Sequence, residues 1–85
     1  MALRVAFKNY TRSGIANFMN RIALFIKTQR NAANLTQEQF AEISRIGLHA
    51  LRDLEQGKDN ITLHKINQAL AMFGTEAVPG QKWDD

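Results

Sequence analysis

The sequence contains no cysteine and only one proline. The absence of cysteine excludes disulfides, thiolate metal sites and cysteine nucleophiles, and it fits a reducing compartment. No run of residues approaches the roughly 20 apolar residues of a membrane-spanning helix. The first residues, MALRVAFKNYTRS, alternate charged and apolar side chains where a signal peptide would be continuously apolar. We therefore expect a cytoplasmic protein without membrane contact.

Residues that carry catalysis are scarce as well. The only histidines are His49 and His64, and no acid-base pair or phosphate-binding loop is recognisable. Asp84 and Asp85 form an acidic terminus rather than a set of metal ligands. The sequence therefore predicts no enzyme, no metal site and no cofactor.

Acidic residues are missing from the first 34 positions, although the net charge of the whole chain is only +3. Such a basic segment suits contact with a polyanion, and it equally suits a solvated helix face. Charge alone leaves both interpretations open. The bases of this segment are Arg4, Lys8, Arg12, Arg21, Lys27 and Arg30.

At 85 residues the sequence has room for one domain, whose modest core would gain from dimerisation. Leu3, Val5 and Phe7 alternate with other side chains, a period typical of a strand with one covered face. Apolar residues then recur at helical spacing, which predicts a first helix from Ile15 to about Ala33.

The strongest local signal lies just after this helix. Thr36 and Gln39 have the spacing of a capping box, and Leu35 and Phe40 occupy the two positions of a hydrophobic staple. A second helix should therefore begin at Gln37. It should end soon, because residues 44–47 place small residues around an apolar isoleucine.

Two further helices follow in the pattern. One is predicted from about Leu48 to Gln56, with Gly57 as its C-terminal stop, and another begins after Thr62 and ends at Gly74. Residues 76–78 are a candidate partner for the N-terminal strand, within one chain or across a dimer. Two short helices around a tight turn describe a helix-turn-helix, although a small bundle without a DNA role shows the same pattern.

The run from Leu35 to Lys58, LTQEQFAEISRIGLHALRDLEQGK, resembles the helix-turn-helix core of the Cro/CI (XRE) repressor family, and the resemblance extends from about Ile22 to Gly74. Within that family, RDLEQGK and the later AMFG are most similar to HipB-type antitoxins. The resemblance implies an all-α, lambda-repressor-like bundle of about four to five helices. It divides the chain into a strand or arm (1–14), a DNA-binding domain (15–74, with the motif at about 36–56) and a tail (75–85), the terminal strands forming a candidate dimer β-lid.

The resemblance also assigns roles to single residues. Gln37 would bond a backbone phosphate and help to position the second motif helix, the recognition helix. Leu48, His49 and Arg52 fall on the side that family members insert into the major groove: Arg52 would pair with guanine, Leu48 would meet a thymine methyl, and His49 would donate to a base or phosphate. Leu48 and His49 equally suit an ordinary surface position. Gly47, which stands where the family often has a serine or threonine cap, is a further candidate DNA-binding residue.

Five other positions flank the recognition helix or support it. Arg45, Gln56 and Lys58 would reach phosphates, or are plain surface groups. Arg30 and Glu55 would form a partly buried salt bridge between the first and third helices.

Arg45 is also a departure from the family pattern, because it stands where the turn usually has glycine. A left-handed arginine is costly, so either the backbone of this turn differs from that of the family or the strain is offset elsewhere.

These features predict a homodimeric, nucleoid-associated repressor whose two recognition helices enter successive major grooves of a palindromic operator. The HipB resemblance adds a partner, a HipA-like serine/threonine kinase toxin, and repression of the shared operon. Trp83 would anchor in a partner pocket or dock on its own domain. Two alternatives stay open: a protein-binding module without DNA binding, and a stand-alone phage-type repressor.

Overall fold

The computed structural model describes residues 3–7 and 12–79. These residues form four helices and two short strands, which confirms the predicted all-α, lambda-repressor-like helix-turn-helix bundle. In chain order the elements are β1 (Leu3–Phe7), α1 (Arg12–Ala32), α2 (Gln37–Ser44), α3 (Leu48–Glu55), α4 (Leu63–Ala71) and β2 (Thr75–Pro79).

Helix α1 forms one wall of the core. Its apolar stripe is buried at Phe18, Met19, Ile22 and Ile26. The helix begins three residues before the predicted start at Ile15. Hydrophobic spacing could not mark this extra turn, because residues 12–14 include no large apolar side chain.

The other helices close over this stripe. Phe40, Leu51, Leu54 and Leu70 are fully buried, and each such side chain contributes about 1.5–3 kcal/mol through its removal from water. The ring of Phe40 stacks on Phe73 at a centroid distance of 5.6 Å. The core therefore joins all four helices and fixes the angle at which α2 and α3 are presented.

The two strands come from opposite ends of the described chain and pair in parallel, in a register that runs from Leu3 opposite Thr75 to Phe7 opposite Pro79. This arrangement confirms the predicted N-terminal strand, and it places the pairing within one chain. Asn67 of α4 anchors β2, because its side chain donates to the carbonyl of Ala77 at 3.1 Å and accepts from the Ala77 N–H at 2.6 Å. Both main-chain groups of Ala77 are thereby satisfied.

The predicted helix starts are also present. The Thr36 hydroxyl accepts from the Gln39 N–H at 3.0 Å, while the Gln39 side chain accepts from the Thr36 N–H at 2.8 Å, so the capping box is complete. At the start of α4 the Thr62 hydroxyl accepts from the Lys65 N–H at 3.2 Å, a single cap without the reciprocal bond. In the described part of the chain, no helix combines the length and apolar character needed to span a bilayer.

Candidate nucleic-acid interface

The turn between α2 and α3 is centred on Arg45. This residue has φ 66° and ψ 20°, the left-handed conformation, and its N–H closes α2 by donating to the carbonyl of Ala41 at 2.9 Å. The tight turn is therefore formed with arginine in the position that favours glycine. The strain, about 1–2 kcal/mol, lies in the backbone of Arg45 itself.

The N-terminus of α3 consists of Gly47, Leu48 and His49. Gly47 has φ 86° and ψ 148°, and it offers no side-chain acceptor to the first N–H groups of α3. Leu48 is half-buried and packs against the core, so only part of its side chain faces outward. The side chain of His49 is 94% exposed.

Arg52 lies one turn further along α3, and its side chain is 49% exposed. The guanidinium reaches back to the first turn of α2. Its Nη2 lies 3.4 Å from Glu38 Oε2, and its Nε lies 3.5 Å from Gln37 Oε1. These contacts are long and each is weak, and they leave the donors of Nη1 available for another acceptor.

Gln37 contacts protein groups through both ends of its amide. Besides the contact with Arg52, its Nε2 donates to Glu55 Oε1 at 3.0 Å. The sequence suggested a phosphate contact for this residue and a part in positioning the recognition helix. In the structure Gln37 connects the exposed Arg52 with the buried Glu55, an arrangement that serves positioning.

Beneath this surface lies the salt bridge of Arg30 and Glu55. Arg30 Nε lies 2.6 Å from Glu55 Oε2 and its Nη2 lies 3.1 Å from Oε1, while its Nη1 donates to the carbonyl of Leu35 at 2.8 Å. The two side chains are only 12% and 3% exposed. The hydrogen bond to Glu55 raises the pKa of Arg30, against the opposing effect of burial. The pair joins α1 to α3 and so helps to hold the recognition helix in place.

Asp53 is a residue that sequence reasoning missed. It is a buried residue of α3, and its carboxylate lies 3.2 Å from Lys58 Nζ, 3.4 Å from His49 Nε2 and 3.5 Å from Asn60 Nδ2. The hydrogen bond to Lys58 is the main cause that lowers the pKa of Asp53, and burial opposes it. The i, i+4 spacing of His49 and Asp53 was the available signal.

The remaining predicted residues divide into two groups. Arg45, Gln56 and Lys58 are exposed at the ends of the motif helices, as contact with phosphates would require. Trp83 lies outside the described residues.

Glu38 and Glu42 are exposed acids of α2, so the face of the motif is mixed in charge rather than uniformly positive. Within the described ranges no group of histidine, aspartate and glutamate side chains is arranged to hold a metal ion.

Residues 26–78 match the family model described as helix-turn-helix, from the second half of α1 to β2. The chain belongs to the Cro/CI-type (XRE) helix-turn-helix family. It is therefore a DNA-binding transcription regulator, of a family that is generally not enzymatic. Neither a curated protein nor a solved structure matches the chain.

Proposed function

We propose that this Cro/CI-type protein is a sequence-specific transcriptional repressor that binds a palindromic operator as a homodimer. The observation that carries the proposal is the placement of Arg52. Its guanidinium is half exposed on α3, and α3 is held to α1 by the buried pair of Arg30 and Glu55. A rigid helix with an accessible arginine is what reading of guanine in the major groove requires.

Base reading falls to residues 48–52, the first five residues of α3. Arg52 would donate two hydrogen bonds to guanine, an interaction worth about 1–3 kcal/mol of discrimination. His49, which is almost fully exposed, would donate to a base or phosphate, and the exposed part of Leu48 would meet a thymine methyl.

Phosphate contacts surround these three residues. Arg45 and Lys58 are exposed cations at the start and end of the α3 region, and Gln56 is an exposed amide beside Lys58. Gly47 leaves the first N–H groups of α3 without a side-chain acceptor, and such groups favour an anion. Gln37 would add a phosphate contact only by giving up one of its internal partners.

Two features support the proposed homodimer: exposed apolar side chains and the small two-stranded sheet. Leu24, Ile43 and Leu63 are large apolar side chains that one copy leaves exposed. A two-stranded sheet is marginal alone and gains from further pairing. Since Ala77 of β2 is bonded to Asn67, the outer edge of β1 is the one that we expect to pair in a dimer β-lid.

The finer role that we propose is that of a HipB-type antitoxin. RDLEQGK and AMFG carry the similarity, and they lie at the end of α3 and across the end of α4. In this role the DNA-binding domain (15–74) would repress the operon, while Trp83 of the tail would anchor a HipA-like serine/threonine kinase. The site of action would be the cytoplasmic nucleoid.

Two readouts in cells separate these roles. A reporter placed under the DNA upstream of the protein's own gene should be repressed by the wild type and released by Arg52→Ala. Arg21→Ala is the matched control, because Arg21 is an exposed base of α1 outside the motif. Unrepressed expression with the wild type would contradict autorepression.

The antitoxin role is tested independently by measuring the growth of cells in which the protein is co-expressed with a HipA-like kinase. Wild type and Arg52→Ala should both restore growth. If neither does so while the reporter is repressed, a stand-alone repressor is the better description. If growth is restored and the reporter never responds, the chain is a protein-binding module.

A further inference from the structure

Among the described residues, Glu38 is the acid that contacts the proposed base-reading arginine. It lies in the first turn of α2 with its side chain 65% exposed, and its Oε2 is 3.4 Å from Arg52 Nη2. Gln37, its neighbour, places Oε1 3.5 Å from Arg52 Nε. An acid beside a DNA-binding surface repels phosphates, so a glutamate at position 38 weakens the binding of DNA. Its presence there therefore needs an explanation.

The stereochemistry of the guanidinium supplies that reason. The group is planar, and its five N–H donors have fixed directions. Nε–H and one N–H of Nη2 point to the same side of the group and form one of its edges. On this edge Nε contacts Gln37 and Nη2 contacts Glu38. The other end of the group, formed by Nη1 and the second N–H of Nη2, has no partner among the described residues. Two parallel donors at that end match the O6 and N7 acceptors of guanine.

We propose that Glu38 is a positioning residue for sequence reading: it holds one edge of Arg52 so that the opposite pair of donors is presented to guanine. This inference rests on the proposed function. Glu38 lowers the overall affinity for DNA through its charge, and it raises discrimination by reducing the number of directions that Arg52 samples.

A second role of Glu38 has to be separated from this one. As an acid in the first turn of α2 it also interacts favourably with the helix dipole, and its charge acts on the nearby Arg30. Loss of stability after substitution is therefore uninformative. The informative readout is the preference for one base pair over the others.

The experiment selects binding sites from a library of randomised DNA duplexes with the full-length chain. Wild type, Glu38→Gln, Arg52→Ala and Glu42→Gln are compared. Glu42 is the matched control, because it is an exposed acid on the same helix with no ion pair among the described residues. Both glutamine variants remove one negative charge, so both should bind DNA more tightly overall.

The expected results differ at a single base pair in each half-site. Arg52→Ala should reduce discrimination there by about 5- to 150-fold. Glu38→Gln should reduce it by about 1.4- to fivefold at the same base pair, the range of an exposed ion pair. Glu42→Gln should select the same motif as the wild type. Glu38→Asp, which keeps the charge for the helix dipole but withdraws the carboxylate by one methylene, should lose discrimination like Glu38→Gln.

Each other outcome overturns a defined part of the argument. If Arg52→Ala loses the base preference while Glu38→Gln and Glu38→Asp keep it, the inference about Glu38 is wrong and the proposed function stands. If Glu42→Gln loses as much discrimination as Glu38→Gln, the effect is one of charge and not of positioning. If the wild type selects no motif, the proposed function fails, and the inference fails with it.

Discussion

Replacing Arg45 by glycine should stabilise the fold and weaken DNA binding at the same time. Arg45 has φ 66°, and a left-handed conformation costs a residue with a Cβ about 1–2 kcal/mol. Glycine avoids that cost but loses about 0.5–1 kcal/mol more conformational entropy on folding. The net gain in the free energy of unfolding is then about 0.5–1 kcal/mol. In a domain of this size 1 kcal/mol raises the melting temperature by about 4–8 °C.

Two other substitutions separate the backbone from the charge. Arg45→Asn removes the charge but tolerates the left-handed conformation, so it should recover part of the gain. Arg45→Ala removes the charge and keeps the strain, so its stability should equal that of the wild type. All three variants should lose one phosphate contact in each protomer, which lowers the slope of log Kobs against log salt by about 0.9 for each contact.

Urea unfolding and thermal unfolding, followed by circular dichroism, measure the first effect. A titration of DNA over a salt series measures the second. The reasoning is refuted if Arg45→Gly unfolds at or below the urea midpoint of the wild type, or if Arg45→Ala gains as much as Arg45→Gly. A strained backbone would then not be present at this turn.

The remaining predictions concern the two buried carboxylates of α3. Arg30→Ala should lower the free energy of unfolding by about 3–5 kcal/mol, because Glu55 is left as an uncompensated buried charge. The double variant Arg30→Met with Glu55→Leu should unfold at a higher urea concentration than Arg30→Ala alone. The opposite order would contradict the role given to this ion pair. Asp53 has a folded-state pKa below its ordinary value of 3.8, so its ionised form stabilises the fold above that pH, and the contribution is lost as the pH falls through the folded-state pKa. Urea unfolding between pH 6 and pH 2.5 should therefore show a smaller loss of stability on acidification for Asp53→Asn than for the wild type. An equal loss in the two proteins would exclude stabilisation of the ionised Asp53 by Lys58 and His49.

Much of the fold could be predicted from the sequence because its signals are local. The capping box at Thr36 and Gln39 and the cap at Thr62 depend on residues three positions apart, and the structure contains both. The strand at residues 3–7 follows from simple alternation. The first turn of α1, residues 12–14, could not be predicted, because it contains no large apolar side chain at helical spacing.

The contacts of the site are less local. Glu38 and Arg52 are 14 residues apart, and Gln37 and Glu55 are 18 apart, so no helical or strand period relates them. Only the angle between α2 and α3, which the core determines, brings them together. The same reason explains why the pairing of β1 with β2 was left open: strands at opposite ends of a chain carry no local signal for whether they meet within one copy or between two.

The central claim is that α3 reads DNA while cations around it bind phosphates. In the proposed homodimer Arg45 and Lys58 would give four phosphate contacts, which correspond to a slope of about −3.6 in log Kobs against log salt and to a loss of about 150-fold in affinity between 50 and 200 mM salt.

The measurement that tests this claim most directly is a mobility-shift titration of the DNA upstream of the protein's own gene over that salt range, with the wild type and Arg52→Ala. The account predicts steep salt dependence for both proteins and a loss of specific affinity in Arg52→Ala, with little change of slope because a base contact releases few counterions. Binding that ignores salt, or equal specific affinity in the two proteins, would contradict the claim.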